Sequence, residues 1–165
     1  MMTRQAARVI IVKDKQMLVM SRNKFGHKYY ALIGGGIDPG ETPEQTLVRE
    51  VREETTLNVA DPRLVYIEEA DKPFGRQYIY WCAFPGGEVK LTADAPEAKI
   101  NELKQNLYEP MWLDIDQLPK VPFLSTELKD HLIKDLAHGF GSQPVTFSSG
   151  AVYETNQEIE RRSDG

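Results

Sequence analysis

Glu50, Glu53 and Glu54 stand at i, i+3 and i+4 in the run Arg49-Glu50-Val51-Arg52-Glu53-Glu54. On a helix this spacing gathers three carboxylates on one face. Carboxylates four residues apart repel, and here they fall near the negative end of the helix dipole, so the arrangement opposes the helix that carries it. A cation resolves the conflict. A small, hard divalent ion suits oxygen ligands on adjacent turns and leaves room for substrate phosphates, so Mg²⁺ is expected, with Mn²⁺ as a substitute. The matching chemistry is that of a phosphate-bearing substrate whose oxygens complete the metal's shell.

The elements that must position these groups are legible upstream. Gly34-Gly35-Gly36-Ile37-Asp38-Pro39-Gly40-Glu41 reads as a loop running into a helix. Thr42 is the expected N-cap: Thr42-Pro43-Glu44-Gln45 has a capping-box pattern, with Pro43 at the first helical position and Gln45 able to reach back. Leu47, Val48 and Val51 supply a buried stripe. From Gly35 to Leu57 the chain reads G-x5-E-x7-R-E-V-x-E-E-x-T-L, which closely resembles the signature of the Nudix hydrolases, G-x5-E-x7-R-E-U-x-E-E-x-G-U, where U is bulky and aliphatic. The match spans 23 of 165 residues. Thr56 stands where the signature has glycine. A β-branched residue resists the left-handed conformation common just past a helix, so a different helix exit is expected. Ile33 stands where many relatives have proline.

The resemblance implies an α/β fold, a Nudix-type α/β/α sandwich around a mixed β-sheet. It also implies metal contacts from Glu50, Glu53 and Glu54, a backbone-carbonyl contact from Gly34, and an Arg49–Glu41 pair that orients loop against helix. The general base stays open: Glu53 itself could serve, or a carboxylate from a variable loop, Glu97 or Glu102. Glu53, Glu54 and Glu97 are thus the catalytic candidates. His27, near the glycine loop, is a weaker one. Glu44 reads as a favourable charge at a helix N-terminus.

The rest of the chain reads as one domain. Its composition, 41% hydrophobic and 27% charged, is that of an ordinary globular protein. The net charge of −5 argues against a protein built to grip nucleic-acid backbones, so no stable nucleic-acid partner is expected. Cys82 is the only cysteine. It allows no internal disulfide, and it lies in an apolar run that reads as a buried strand; a cytoplasmic location is the simplest expectation. No segment has the length of a signal peptide or membrane span, so no membrane partner is expected. A homodimer is left open.

Strands are expected at Ala7–Val12 and Met17–Met20, as a hairpin, and at Tyr29–Ile33, Leu64–Glu69, Gln77–Phe84, Glu88–Leu91 and Leu107–Ile115. A second helix opens at Ser125, with Leu128, Leu132, Ile133 and Leu136 as its apolar stripe and Gly139 at its end. Residues 1–140 form the expected Nudix domain, and 141–165 a peripheral or flexible extension.

The resemblance implies hydrolysis of a phosphoanhydride in a small nucleotide, a nucleoside diphosphate linked to another group. A nucleoside triphosphate, damaged ones included, comes first, then ADP-ribose or a nucleotide sugar; Pro73, 16 residues after Leu57, is a spacing similar to that of ADP-ribose-cleaving relatives. A non-catalytic nucleotide-binding regulator is the contrasting reading, and the complete acidic set speaks against it. Phe74 and Trp112 are the candidate substrate-binding aromatics, with Tyr29 and Tyr66 behind them.

Overall fold

The computed structural model describes residues 4–92, 96–101 and 106–150. The strands are β1 (Gln5–Ile10), β2 (Val12–Lys13), β3 (Gln16–Lys24), β4 (His27–Ala31), β5 (Ile33–Gly36), β6 (Arg63–Ala70), β7 (Gly75–Trp81), β8 (Asn106–Asp114) and β9 (Val145–Ser149). The helices are α1 (Pro43–Thr55), the short α2 (Pro96–Asn101) and α3 (Thr126–His138), and a 3-10 turn covers Ile115–Lys120.

Two sheets form. The larger is mixed, in the order β5-β1-β7-β6-β9, with β1/β7 and β6/β9 parallel. In the smaller, β3 pairs with β2 and β4 along one side and with β8 along the other. The expected hairpin is therefore β2–β3, since the chain changes sheet at Ile11 and β1 belongs to the other one. The expected strand Tyr29–Ile33 is likewise split, β4 in one sheet and β5 in the other.

Alternation along β1 sends its side chains to two cores. Ala7, Val9 and Ile11 pack with Leu47 and Val51 of α1, whereas Ile10 packs with Leu128 and Leu132 of α3. Val48, assigned above to the stripe of α1, is exposed. Arg8 shares the parity of Ile10, which puts a charged residue in a strand otherwise committed to core.

Two further expectations are corrected by how α1 ends. Thr56 does adopt the left-handed conformation, at φ 70°, and donates its N–H to the Arg52 carbonyl at 2.9 Å. Its hydroxyl donates to the Glu88 carbonyl at 2.6 Å. That side-chain bond, which glycine could not make, offsets a left-handed strain of about 1–2 kcal/mol. Glu88–Leu91 is consequently no strand. Lys90 N–H donates to the Thr55 carbonyl, and the N–H and hydroxyl of Thr92 both donate to that of Glu53, so this segment satisfies carbonyls the helix leaves open.

Residues 145–149, read above as part of a peripheral extension, add β9 to the edge of the larger sheet beside β6. The strand is short and mostly exposed, with only its Ser149 end buried, so the alternation of Val145 to Ser148 is only four residues long amid polar sequence. Cys82 is buried; loss of solvent and the nearby Asp61 push its thiol up to about 11, which leaves it unreactive. Among the described residues no helix is long and apolar enough to cross a membrane.

Candidate functional site

The signature helix starts as its sequence dictates. Thr42 accepts from the Gln45 N–H at 3.1 Å, and the Gln45 side chain accepts from the Thr42 N–H at 2.9 Å. Arg49 then ties the loop to the helix. Its guanidinium donates twice to Glu41, both at 2.9 Å, and once to Glu50 at 3.0 Å, with Asp38 at 3.2 Å and Glu53 at 3.5 Å. The expected Arg49–Glu41 pair is thus the centre of a wider ionic knot. Glu44, on the same helix, accepts from the Tyr80 hydroxyl at 2.8 Å.

The bidentate bond, with the Thr46 hydroxyl donating as well, holds the Glu41 carboxyl at about 2, well below the usual carboxylate range. A depressed carboxyl contributes stability above its unfolded value of about 4.3 and loses it as pH falls through the folded one. Glu41→Gln should therefore lower the melting temperature at pH 7, and the gap to wild type should close between about pH 4.3 and pH 2. A gap that is constant across that range in pH-dependent melts would remove the ionic role.

Glu50 and Glu54 reach the cleft across glycines. A Cβ on Gly35 would lie 2.5 Å from the Glu50 carboxyl carbon, and one on Gly34, at φ 152°, would lie 2.0 Å from the Ala7 carbonyl oxygen. The bare edge strand β5 is what lets the carboxylates through. The Gly34 N–H donates to Glu54 at 3.2 Å. Helix α2 brings Glu97 to the same place, pinned to β8 by Asn101, whose side chain donates to the Tyr108 carbonyl and accepts from the Tyr108 N–H.

Glu50, Glu54 and Glu97 each place a carboxylate oxygen within 4.8 Å of the others. Glu54 is 2% exposed, and burial, Glu97 and Glu50 in that order push its carboxyl well above the usual range, against the pull of Arg8. One buried oxygen of Glu97 has no hydrogen-bond partner among the described residues. Three converging hard oxygen ligands, one lacking a donor, fit a divalent cation better than they fit each other.

Glu53, given equal standing in the sequence, stands apart. Its carboxylate faces Arg49, and it neither joins this cluster nor lines the cleft. Glu102 lies outside the described residues. Of the two aromatics, Phe74 lines the cleft from the β6–β7 loop. Trp112 does not: the β3–β8 register pairs it with Leu18, at the opposite end of β3 from Arg22 and Tyr108, and its ring packs edge-on against Phe84 at 5.4 Å. Tyr29 lines the cleft, whereas Tyr66 is core, its hydroxyl donating to Asp135 at 2.6 Å.

The cleft has a volume of about 480 Å³. Besides the carboxylates the cleft is lined by the basic residues Arg4, Arg8, Arg22 and Lys24, none of which the sequence reading named. Arg8 donates to the Gln77 side chain at 3.0 Å, and Gln77 in turn donates to the Phe74 carbonyl at 2.7 Å, which links the floor to the loop above it. Arg22 stacks on Tyr108, 3.7 Å from the ring centroid, and donates to the Tyr29 hydroxyl at 3.1 Å. An arginine inside an apolar strand was a signal for Arg8; Arg22 and Lys24 share one face of β3 by their two-residue spacing, and Arg4 precedes β1.

Comparison with known proteins agrees with this geometry. The NUDIX domain family matches residues 2–136. An ADP-ribose pyrophosphatase from Methanocaldococcus jannaschii is 34% identical over 133 residues, 76% of this chain and 68% of that protein. An NAD-capped RNA hydrolase from Pectobacterium carotovorum is 29% identical over 69% of this chain, which spans only 40% of that longer protein. Among solved structures, an ADP-ribose pyrophosphatase from Streptococcus suis superposes with a TM-score of 0.63 at 18% identity, over 88% of this chain and all of that one, a likeness of fold. With its signature helix, carboxylate cluster and α/β/α fold in place, this chain belongs to the NUDIX family.

Proposed function

We propose that this chain hydrolyses the phosphoanhydride of a nucleoside diphosphate linked to a further group, using a divalent cation held by Glu50, Glu54 and Glu97. The observation that carries the reading is the convergence of those three carboxylates at the acidic end of a cleft whose other walls are basic and aromatic. When bound, the ion supplies an activated water and offsets phosphate charge. The protein's own groups do the rest. Arg8 and Arg22 meet phosphate oxygens, Gly34 and the Arg49 knot fix the carboxylates, and Phe74 offers an apolar face to a base or sugar. Glu97, with an oxygen that no donor among the described residues claims, is suited to accept a proton from the attacking water. Glu53, paired with Arg49, is outside this set of three.

ADP-ribose and related nucleotide sugars are the first substrate class, because the relative at 34% identity carries that activity in its name. Nucleoside triphosphates, first in the sequence reading, take second place. The test is chromatography of products from ADP-ribose, NAD and triphosphates with Mg²⁺. AMP with ribose 5-phosphate from ADP-ribose supports the reading; a nucleoside monophosphate with pyrophosphate, formed faster from every triphosphate, would reverse the order, and no product from any would overturn it.

Phe74→Ala should change relative kcat/KM among these nucleotides. Trp112→Ala should instead lower stability by roughly 1–3 kcal/mol and leave the relative values alone, since its ring packs on Phe84 away from the cleft. Kinetics on the panel plus thermal melts separate the two, and a specificity shift in Trp112→Ala would contradict the assignment.

A further inference from the structure

We infer that the end of the cleft remote from the carboxylate cluster is a recognition site for an uncharged, hydrogen-bond-donating edge of the nucleoside, built from Glu68, Ser125 and Ser149. The inference rests on the reading above for the ligand being a nucleotide. Sheet order sets the separation. Adjacent strands lie about 4.8 Å apart, so β6 and β9 stand roughly 14 and 19 Å from the glycine strand β5 beside the acidic cluster.

At this end the polar groups are buried, and one of them is unused. Glu68 is 4% exposed and accepts from the hydroxyl of Ser125, the N-cap of α3. Among the described residues it makes no ion pair within 4.0 Å: Arg8, whose charge it feels, donates instead to Gln77 and the Leu32 carbonyl. Ser149 is 6% exposed, and its buried hydroxyl has no hydrogen-bond partner among the described residues. All three residues line the cleft.

A buried carboxylate and an orphaned hydroxyl are costly unless a partner supplies what they lack. Acceptor oxygens on Glu68 disfavour phosphate here, and phosphate already has the basic wall. The complementary group is neutral and rich in donors. A nucleoside offers two such sources, the ribose hydroxyls and an exocyclic amino group on the base. This gives β9 a task in the site: Ser149 is carried there by its parallel pairing with β6, opposite Ala70.

The test is calorimetric binding of AMP, 2′-deoxy-AMP and IMP to the full chain in chelator, so that no turnover is needed. Wild type should bind AMP at least about fivefold more tightly than one of the two analogues, the scale of one lost hydrogen bond. A penalty for 2′-deoxy-AMP assigns the ribose hydroxyl; a penalty for IMP assigns the amino group. Ser149→Ala and Glu68→Gln should each bring that ratio to within about twofold. Ser149→Ala should melt no lower than wild type, because the lost hydroxyl bonds nothing among the described residues. Equal binding of all three nucleotides, no binding of AMP, or an unchanged ratio in both variants would overturn the inference. Selective binding without hydrolysis of any nucleotide would instead sink the proposed function and leave this site standing.

Discussion

Glu54→Gln is expected to lower turnover by about 10²-fold or more while leaving the fold intact. Glutamine keeps the size of the side chain and an acceptor for the Gly34 N–H, and removes only the charge. That charge is the one the folded protein holds at greatest cost, since Glu54 is almost fully buried beside Glu97 and Glu50. Without metal, the variant should therefore melt at or above the wild-type temperature, because a neutral amide relieves burial of a carboxylate among carboxylates. The combination is diagnostic: a stability gain with a catalytic loss marks a residue kept for function. Purified variants examined by kinetics and thermal melts decide it, and near-native turnover would remove Glu54 from the site.

Removal of divalent metal is expected to abolish turnover altogether. The basic residues of the lining can offset phosphate charge but cannot activate water, and the convergence of Glu50, Glu54 and Glu97 calls for a cation among them. Dialysis against chelator should bring product formation to background, and Mg²⁺ or Mn²⁺ should restore it. Full activity in excess chelator would falsify the metal assignment. Saturating Mg²⁺ should also raise the wild-type melting temperature, because an ion that binds only the folded state stabilises it by mass action.

What the sequence made legible is what short-range chemistry writes into it. The capping box at Thr42, the start of α1, the Glu41–Arg49 pair and the spacing of Glu50 and Glu54 all lie within one loop and one helix, so residue order nearly fixes geometry. Glu97 was reachable only as a polar-loop candidate, and its place beside Glu50 depends on α2 docking on β8. The exit of α1 went the other way. Propensity says that threonine avoids a left-handed cap, but a hydrogen bond to a carbonyl 32 residues away overrides it. Such a bond has no signature in local sequence.

The basic wall and the remote polar end were missed for the same reason. Arg8, Arg22, Glu68 and Ser149 come from β1, β3, β6 and β9, and only strand order brings them to one cleft. Trp112 shows the converse error, an aromatic chosen for chemistry whose register with Leu18 carries it past the end of the site. Glu53 illustrates a limit within the signature itself: helical spacing groups it with Glu54, but its carboxylate pairs with Arg49 on the previous turn.

The central claim is that Glu50, Glu54 and Glu97 together hold a divalent cation. Calorimetric titration of Mn²⁺ into metal-free wild type and into Glu50→Gln, Glu54→Gln and Glu97→Gln tests it without reference to any substrate. The account predicts saturable binding in wild type and at least about tenfold weaker binding in each variant, Glu97→Gln included. Binding in Glu97→Gln and Glu54→Gln indistinguishable from wild type would contradict it, and would move the metal away from the cluster on which the proposed chemistry depends.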